Sequence, residues 1–296
     1  MKSLMFFVVL LFTVFMFNGC QDMNNGITSS ELDENKITTF SGSADGLTEA
    51  PGGMNLPYRH FEGTGTSSLT NGECTIILDY WALPTGNTIL GRGKLIAANG
   101  NELHSQNIAG TWTISGTMVT FTCSGDIAGG TGQFINAIGT ITFTGTMDAV
   151  TRVTHGEWTG TLRHARPFSG TISGLNLTIT EPPCGTGYVR RAAECSGNAL
   201  HLGEFTSTLS HCLNMSTGLV MGGNAILANL EGESITLNYI GYVTPKGNNL
   251  YDVILMGKIV SGTGKFADAE GSIIAYAVQN MANGEVSGTM SGAIDY

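Results

Sequence analysis

Glu157 and Glu285 occupy matching places when the chain is compared with itself, in Gly156-Glu157-Trp158-Thr159-Gly160-Thr161 and Gly284-Glu285-Val286-Ser287-Gly288-Thr289. General acid–base work needs such a carboxyl, or a histidine, held where its pKa is shifted. The other reading is a solvent-facing strand residue or one that bonds a turn. His104, His155 and His201 have no counterparts in the other copy. No two histidines stand at a short metal-ligand spacing, so no metal is expected. Gly262-Thr263-Gly264-Lys265-Phe266 is not a phosphate loop, because that loop would put glycine where Ile259 stands and a hydroxyl where Phe266 stands. No Gly-x-Ser-x-Gly elbow signals a nucleophilic hydrolase. No cofactor is called for.

The tryptophans are the sharper asymmetry. Trp81, Trp112 and Trp158 fall in one half, opposite Leu213, Thr244 and Val286. Rings gathered at a cavity mouth could stack on a sugar or an aromatic ligand, whereas ordinary core filling is the alternative. Trp81, Trp112, Trp158 and His201 are therefore the ligand-binding candidates. Among the cysteines, Cys184 and Cys195 flank a short glycine-containing segment and form the first-choice disulfide, with Cys74–Cys123 second and Cys212 left over. Buried free thiols remain the alternative throughout.

These residues must be positioned by something built from strands. Glycine is 42 of 296 residues, without a Gly-X-Y period, and few residues are charged. A formal charge of −10 argues against nucleic acid, which needs clustered Lys and Arg. Gly129-Gly130-Thr131-Gly132-Gln133-Phe134 returns as Ser261-Gly262-Thr263-Gly264-Lys265-Phe266, an offset of 132 (262 minus 130). Gly65 meets Gly197, Gly91 meets Gly223 and Leu95 meets Leu227 in the same frame, and beyond the motif the offset slips to 128. That is an internal duplication. Turn signals about every ten residues, including Asn99-Gly100 as a type I′ hairpin, predict a sandwich or barrel in each copy. Residues 58–165 form repeat 1 and 166–296 repeat 2. Arg163-His164-Ala165-Arg166-Pro167 joins them, read as a solvated linker or as a basic knot for anionic headgroups.

Residues 1–20 read as an export signal, with Lys2 followed by an apolar run too short for a bilayer. The run ends at Phe17-Asn18-Gly19-Cys20, which resembles the lipobox of bacterial lipoproteins and implies lipidation of Cys20. Gln21, where an aspartate would retain the protein at the inner membrane, favours the outer membrane of a bacterial envelope. Residues 21–57 are acidic and polar, and are expected to be a flexible tether.

Gly-Thr-Gly-x-Phe-x-x-Ala-x-Gly, with Gly197-Asn198-Ala199-Leu200-His201-Leu202-Gly203 upstream, resembles small secreted bacterial β-barrels of the allene oxide cyclase and dirigent-like, calycin-like type. The resemblance implies an all-β chain of two tandem antiparallel barrels, each of roughly eight strands. It also implies a core wide enough for side chains or one small ligand. No polar site residue of that family is matched here. Three functions follow as expectations. The first is a non-catalytic, membrane-anchored module whose repeat 1 barrel binds a small apolar or glycan ligand. The second is a cyclase- or isomerase-like enzyme, and the third a structural or adhesive surface lipoprotein.

Overall fold

The computed structural model describes residues 36–50, 58–70, 72–83, 88–179 and 184–296. The signal, Cys20 and the tether up to residue 35 lie outside the described residues. Among the described residues sixteen strands follow one another. The first eight are β1 (Thr38–Glu49), β2 (Tyr58–Ser67), β3 (Gly72–Leu83), β4 (Thr88–Ala97), β5 (Glu102–Ser115), β6 (Met118–Gly130), β7 (Ala137–Asp148) and β8 (Val153–His164). The second eight are β9 (Arg166–Ile179), β10 (Tyr188–Ala199), β11 (Gly203–Asn214), β12 (Leu219–Asn229), β13 (Ser234–Gly247), β14 (Leu250–Gly262), β15 (Glu270–Asn280) and β16 (Glu285–Asp295). Each set closes into an antiparallel barrel, β1 pairing with β8 and β9 with β16.

Alternation along the strands decides what fills each barrel. Thr154, Trp158 and Leu162 of β8 point inward, as do Ala193, Cys195 and Ala199 of β10. Barrel 1 packs Phe40, Phe61, Ile127, Phe134, Phe143 and Trp158. Barrel 2 packs Phe168, Phe205, Ile235, Ile259 and Phe266. Each such ring or branched chain contributes about 1.5–3 kcal/mol when fully buried. The repeated glycine motif is the β6–β7 and β14–β15 turn. In both copies one 3-10 turn, Gly132–Phe134 and Gly264–Phe266, drives a phenylalanine into the barrel. Gly139 and Gly271, with φ of 153° and 144°, sit where an added Cβ would overlap the carbonyls of Thr161 and Ala293. Only glycine lets neighbouring strands approach so closely there.

Four expectations change. The tether is shorter than residues 21–57, because Thr38–Glu49 is β1, paired with β2 on one side and β8 on the other. Its acidic residues stand on the outer face, while Phe40, Ala44 and Thr48 face inward. The Asn99-Gly100 turn is not type I′. Only Gly100 has positive φ, 82°, as in a hairpin that ends on a left-handed glycine.

The linker is only partly solvated, Arg166 and Pro167 being exposed. Arg163 ion-pairs with Glu270 and Asp295 of barrel 2 and its side chain is 17% exposed, while Ala165 packs with Ile138 and Ala293. The disulfide joins Cys184 to Cys212, with Cα atoms 5.7 Å apart, and Cys74, Cys123 and Cys195 are buried free thiols. Cys195 stands seven residues (195 minus 188) past the start of β10, roughly 23 Å along an extended strand and inside the barrel. Cys212 pairs with Arg190 near the start of β10, where Cys184 leads in.

The barrels meet along a seam. Trp81, Leu90 and Leu219 form its apolar corner, with Tyr58 and Tyr242 packed against them. Gln106, 2% exposed, donates from Nε2 to the carbonyl of Gly257 at 2.9 Å, and Lys258 Nζ lies 2.7 Å from Asp126 Oδ1.

Candidate functional site

The four ligand-binding candidates fall in four different places. Trp158 is core, in the lumen of barrel 1 beside Phe61, Tyr80, Phe121, Phe143 and Cys123. The space left there is about 40 Å³. That is room for a few waters at most, against ~300–1,000 Å³ for a small-molecule pocket. Side chains thus nearly fill the chamber expected in repeat 1. Burial pushes the Cys123 thiol up to about 12 and raises Tyr80, so neither ionises near neutrality. Trp112 is half-buried on β5 opposite Phe121, its Nε1 buried without a partner. His201 holds φ of 71° in the β10–β11 turn. Its Nε2 donates to the Pro167 carbonyl at 3.0 Å and its ring meets Tyr296, which makes it a latch on the barrel end. Glu157 and Glu285 are exposed on outer faces.

Trp81 lies at a ligand-sized opening. Strand β3 turns it outward, next to Tyr80 which faces in, and the indole wedges into the seam at 7% exposure. Its ring centroid is 5.5 Å from Tyr58, edge-on, and 5.1 Å from Tyr242 of barrel 2. These three rings, with Asp79, Arg92, Ser216, Thr217 and Thr244, line a pocket of about 330 Å³. Because Trp81 is nearly buried, the half-buried Tyr58 and Tyr242 supply most of the aromatic wall and Trp81 props them.

Asp79 anchors the polar side. Its Oδ1 accepts from Tyr58 Oη at 2.7 Å and meets His60 Nδ1 at 2.8 Å, while Arg92 stands 3.7 Å from Oδ2. Desolvation first, and then the bond to Asp79, raise the Tyr58 hydroxyl well above its ordinary range, so it stays a donor. The Arg92 guanidinium also lies 5.5 Å over the Tyr242 ring. On the far side of Arg92 a groove of about 590 Å³ continues between the barrels, walled by Lys94, Glu102 and His104 of barrel 1 and by Ile274 and Tyr276 of barrel 2. Lys94 and His104 both bond Glu102, at 2.9 and 2.8 Å, and lower its pKa, His104 having the larger effect.

Sequence reasoning missed His60, Asp79 and Arg92, the polar half of this corner. The available signal was alternation, since Leu90, Arg92 and Lys94 follow one another on the outer face of β4. It also missed His211 and Tyr239, which share a 2.9 Å hydrogen bond inside barrel 2. Among the described residues no three His, Cys, Asp or Glu gather closely enough to hold a metal ion.

No protein-family model and no curated protein sequence matches the chain. A solved structure of a protein with unknown function from the DUF3598 family of Nostoc punctiforme is similar over 86% of this chain and 95% of its own. It is 10% identical with a TM-score of 0.15, and at that score the likeness carries no argument about function.

Proposed function

We propose that this chain is a non-catalytic, lipid-anchored protein of the bacterial envelope that binds a glycan at the seam between its barrels. One observation carries the reading. A ligand-sized pocket has an aromatic wall from both barrels, Tyr58 and Tyr242 propped by Trp81, and faces a carboxylate–guanidinium pair. Pyranose rings lay their apolar faces on aromatic side chains and present hydroxyl pairs to charged forks. The lumen of barrel 1 offers only about 40 Å³, which favours the seam over the interior as the ligand seat. An isomerase or cyclase of the cavity-shaping kind has less support, because His211 and Tyr239 are packed in the barrel 2 core. The anchor is supported by the apolar run that ends at Cys20, and Gln21 favours the outer membrane.

Two measurements test this reading. In cells, Cys20→Ala should move the protein from the membrane fraction to the soluble one; an unchanged distribution would remove the anchor. Titration against an oligosaccharide panel should find a ligand whose affinity falls about 3–10-fold in Tyr242→Leu, which keeps apolar bulk but loses the ring. A protein that binds no member of the panel would favour a structural surface module instead.

A further inference from the structure

The aromatic pocket and the larger groove share one side chain, Arg92. We infer that they are two subsites of one track for an extended oligosaccharide, and that Arg92 reads a carboxylate on it; this rests on the glycan reading above. Asp79 does not use up the guanidinium. Its Oδ1 is already occupied by Tyr58 and His60, and the approach of Arg92 to Oδ2, 3.7 Å, is beyond a hydrogen bond. The side chain is 33% exposed and lies over Tyr242. That arrangement leaves in-plane N–H donors for the forked, bidentate contact that suits a carboxylate.

Charge along the track points the same way. Lys94 comes two residues after Arg92 on the same face of β4 and pairs across the ladder with His104. Arg92 and Lys94 balance Asp79 and Glu102 along the track. The chain as a whole carries −10. A stretch whose charges balance on so acidic a protein is where an anionic glycan meets less repulsion. A sugar acid such as a uronate supplies the carboxylate and the stacking ring together.

The test uses full-length protein on an immobilised panel of neutral, N-acetylated and uronic-acid-containing oligosaccharides. Isothermal titration then compares oligogalacturonate with its methyl ester, which removes the carboxylate charge at the cost of one added methyl group per sugar. The acid is expected to bind at least tenfold tighter than the ester. Affinity should also rise with oligomer length until both subsites are spanned. In Arg92→Gln the acid-to-ester ratio should fall to near one, and Arg92→Lys should recover only part of it; unchanged thermal melts of both variants exclude a folding defect. Equal binding of acid and ester, or binding of neutral glycans alone, overturns the assignment of Arg92 while the glycan seat stands. Binding of no panel member overturns both.

Discussion

His211 is a histidine kept neutral by its surroundings. It faces into barrel 2 at 3% exposure, and desolvation, followed by the charges of Arg191 and Arg190, depresses its pKa to about 4. Tyr239 and Cys195, the other titratable groups facing that part of the core, are pushed up by burial and remain protonated. In the unfolded chain the ring titrates near its ordinary ~6.5. Between these values the unfolded state binds the proton and the folded state does not, so stability falls as pH drops from about 6.5 towards 4. The loss from this one group is on the order of 3 kcal/mol. His211→Gln keeps an amide beside the Tyr239 hydroxyl and cannot take up the proton. Thermal melts at pH 7 and pH 4.5 should therefore show a shallower acid decline in the variant than in the parent. Equal declines would put the proton uptake elsewhere.

At the scale of the strand, β1 carries the most instructive correction. Its outer face holds Asp45 and Glu49, and only Phe40, Ala44 and Thr48 are buried, so as a string of letters it matches a polar tether. The signal was still present. Phe40-Ser41-Gly42 and Gly46-Leu47 return as Phe168-Ser169-Gly170 and Gly174-Leu175 at an offset of 128, the frame that also relates β8 to β16. At an offset of 132 these residues do not align. Strand β1 also closes the barrel, and without it β2 and β8 become open edges, which are templates for aggregation. A chain begun at Tyr58 should fail to give a cooperative melt and should sediment as aggregate, while one begun at Lys36 should melt with the longer protein. A soluble, cooperative product from Tyr58 would mean that β1 is dispensable. What was legible in the sequence, the strands, the turns and the duplication, is what alternation and glycine encode locally. The Cys184–Cys212 bridge was not, because Cys212 meets Cys184 only after β10 and β11 pair.

The seam between barrels was invisible to the sequence for a related reason. Trp81, Leu90, Leu219 and Met256 are apolar residues on outward faces, and nothing local separates them from core positions. Asp126 and Lys258 are equivalents in the two repeats (258 minus 126 is 132), yet they face each other across the seam with opposite charges. Two identical copies would set like charges there, so the seam depends on the divergence of the repeats. Gln106 is another polar lock beside the Arg163 pairs, its amide nitrogen reaching the Gly257 carbonyl from barrel 1. Removing a buried hydrogen-bonding group of this kind costs about 1–3 kcal/mol. Losing the Lys258–Asp126 pair, half-exposed at the lysine and nearly buried at the aspartate, adds about 1 kcal/mol. Neither change touches the interior of a barrel, and the bond that Asp126 Oδ2 accepts from Asn107 Nδ2 within barrel 1 can be kept by the amide oxygen of Asp126→Asn, so both should weaken coupling more than either barrel's own stability. Calorimetry of the parent is expected to show one transition. The double variant Gln106→Leu with Asp126→Asn is expected to show two, the lower one exposing the face that Trp81 and Met256 now cover. A double variant that still melts in a single, unshifted transition would mean that the apolar corner, with the Arg163 ion pairs and the Ile138–Ala165–Ala293 contact, is enough to join the barrels, and that Gln106 and Asp126 only set their register.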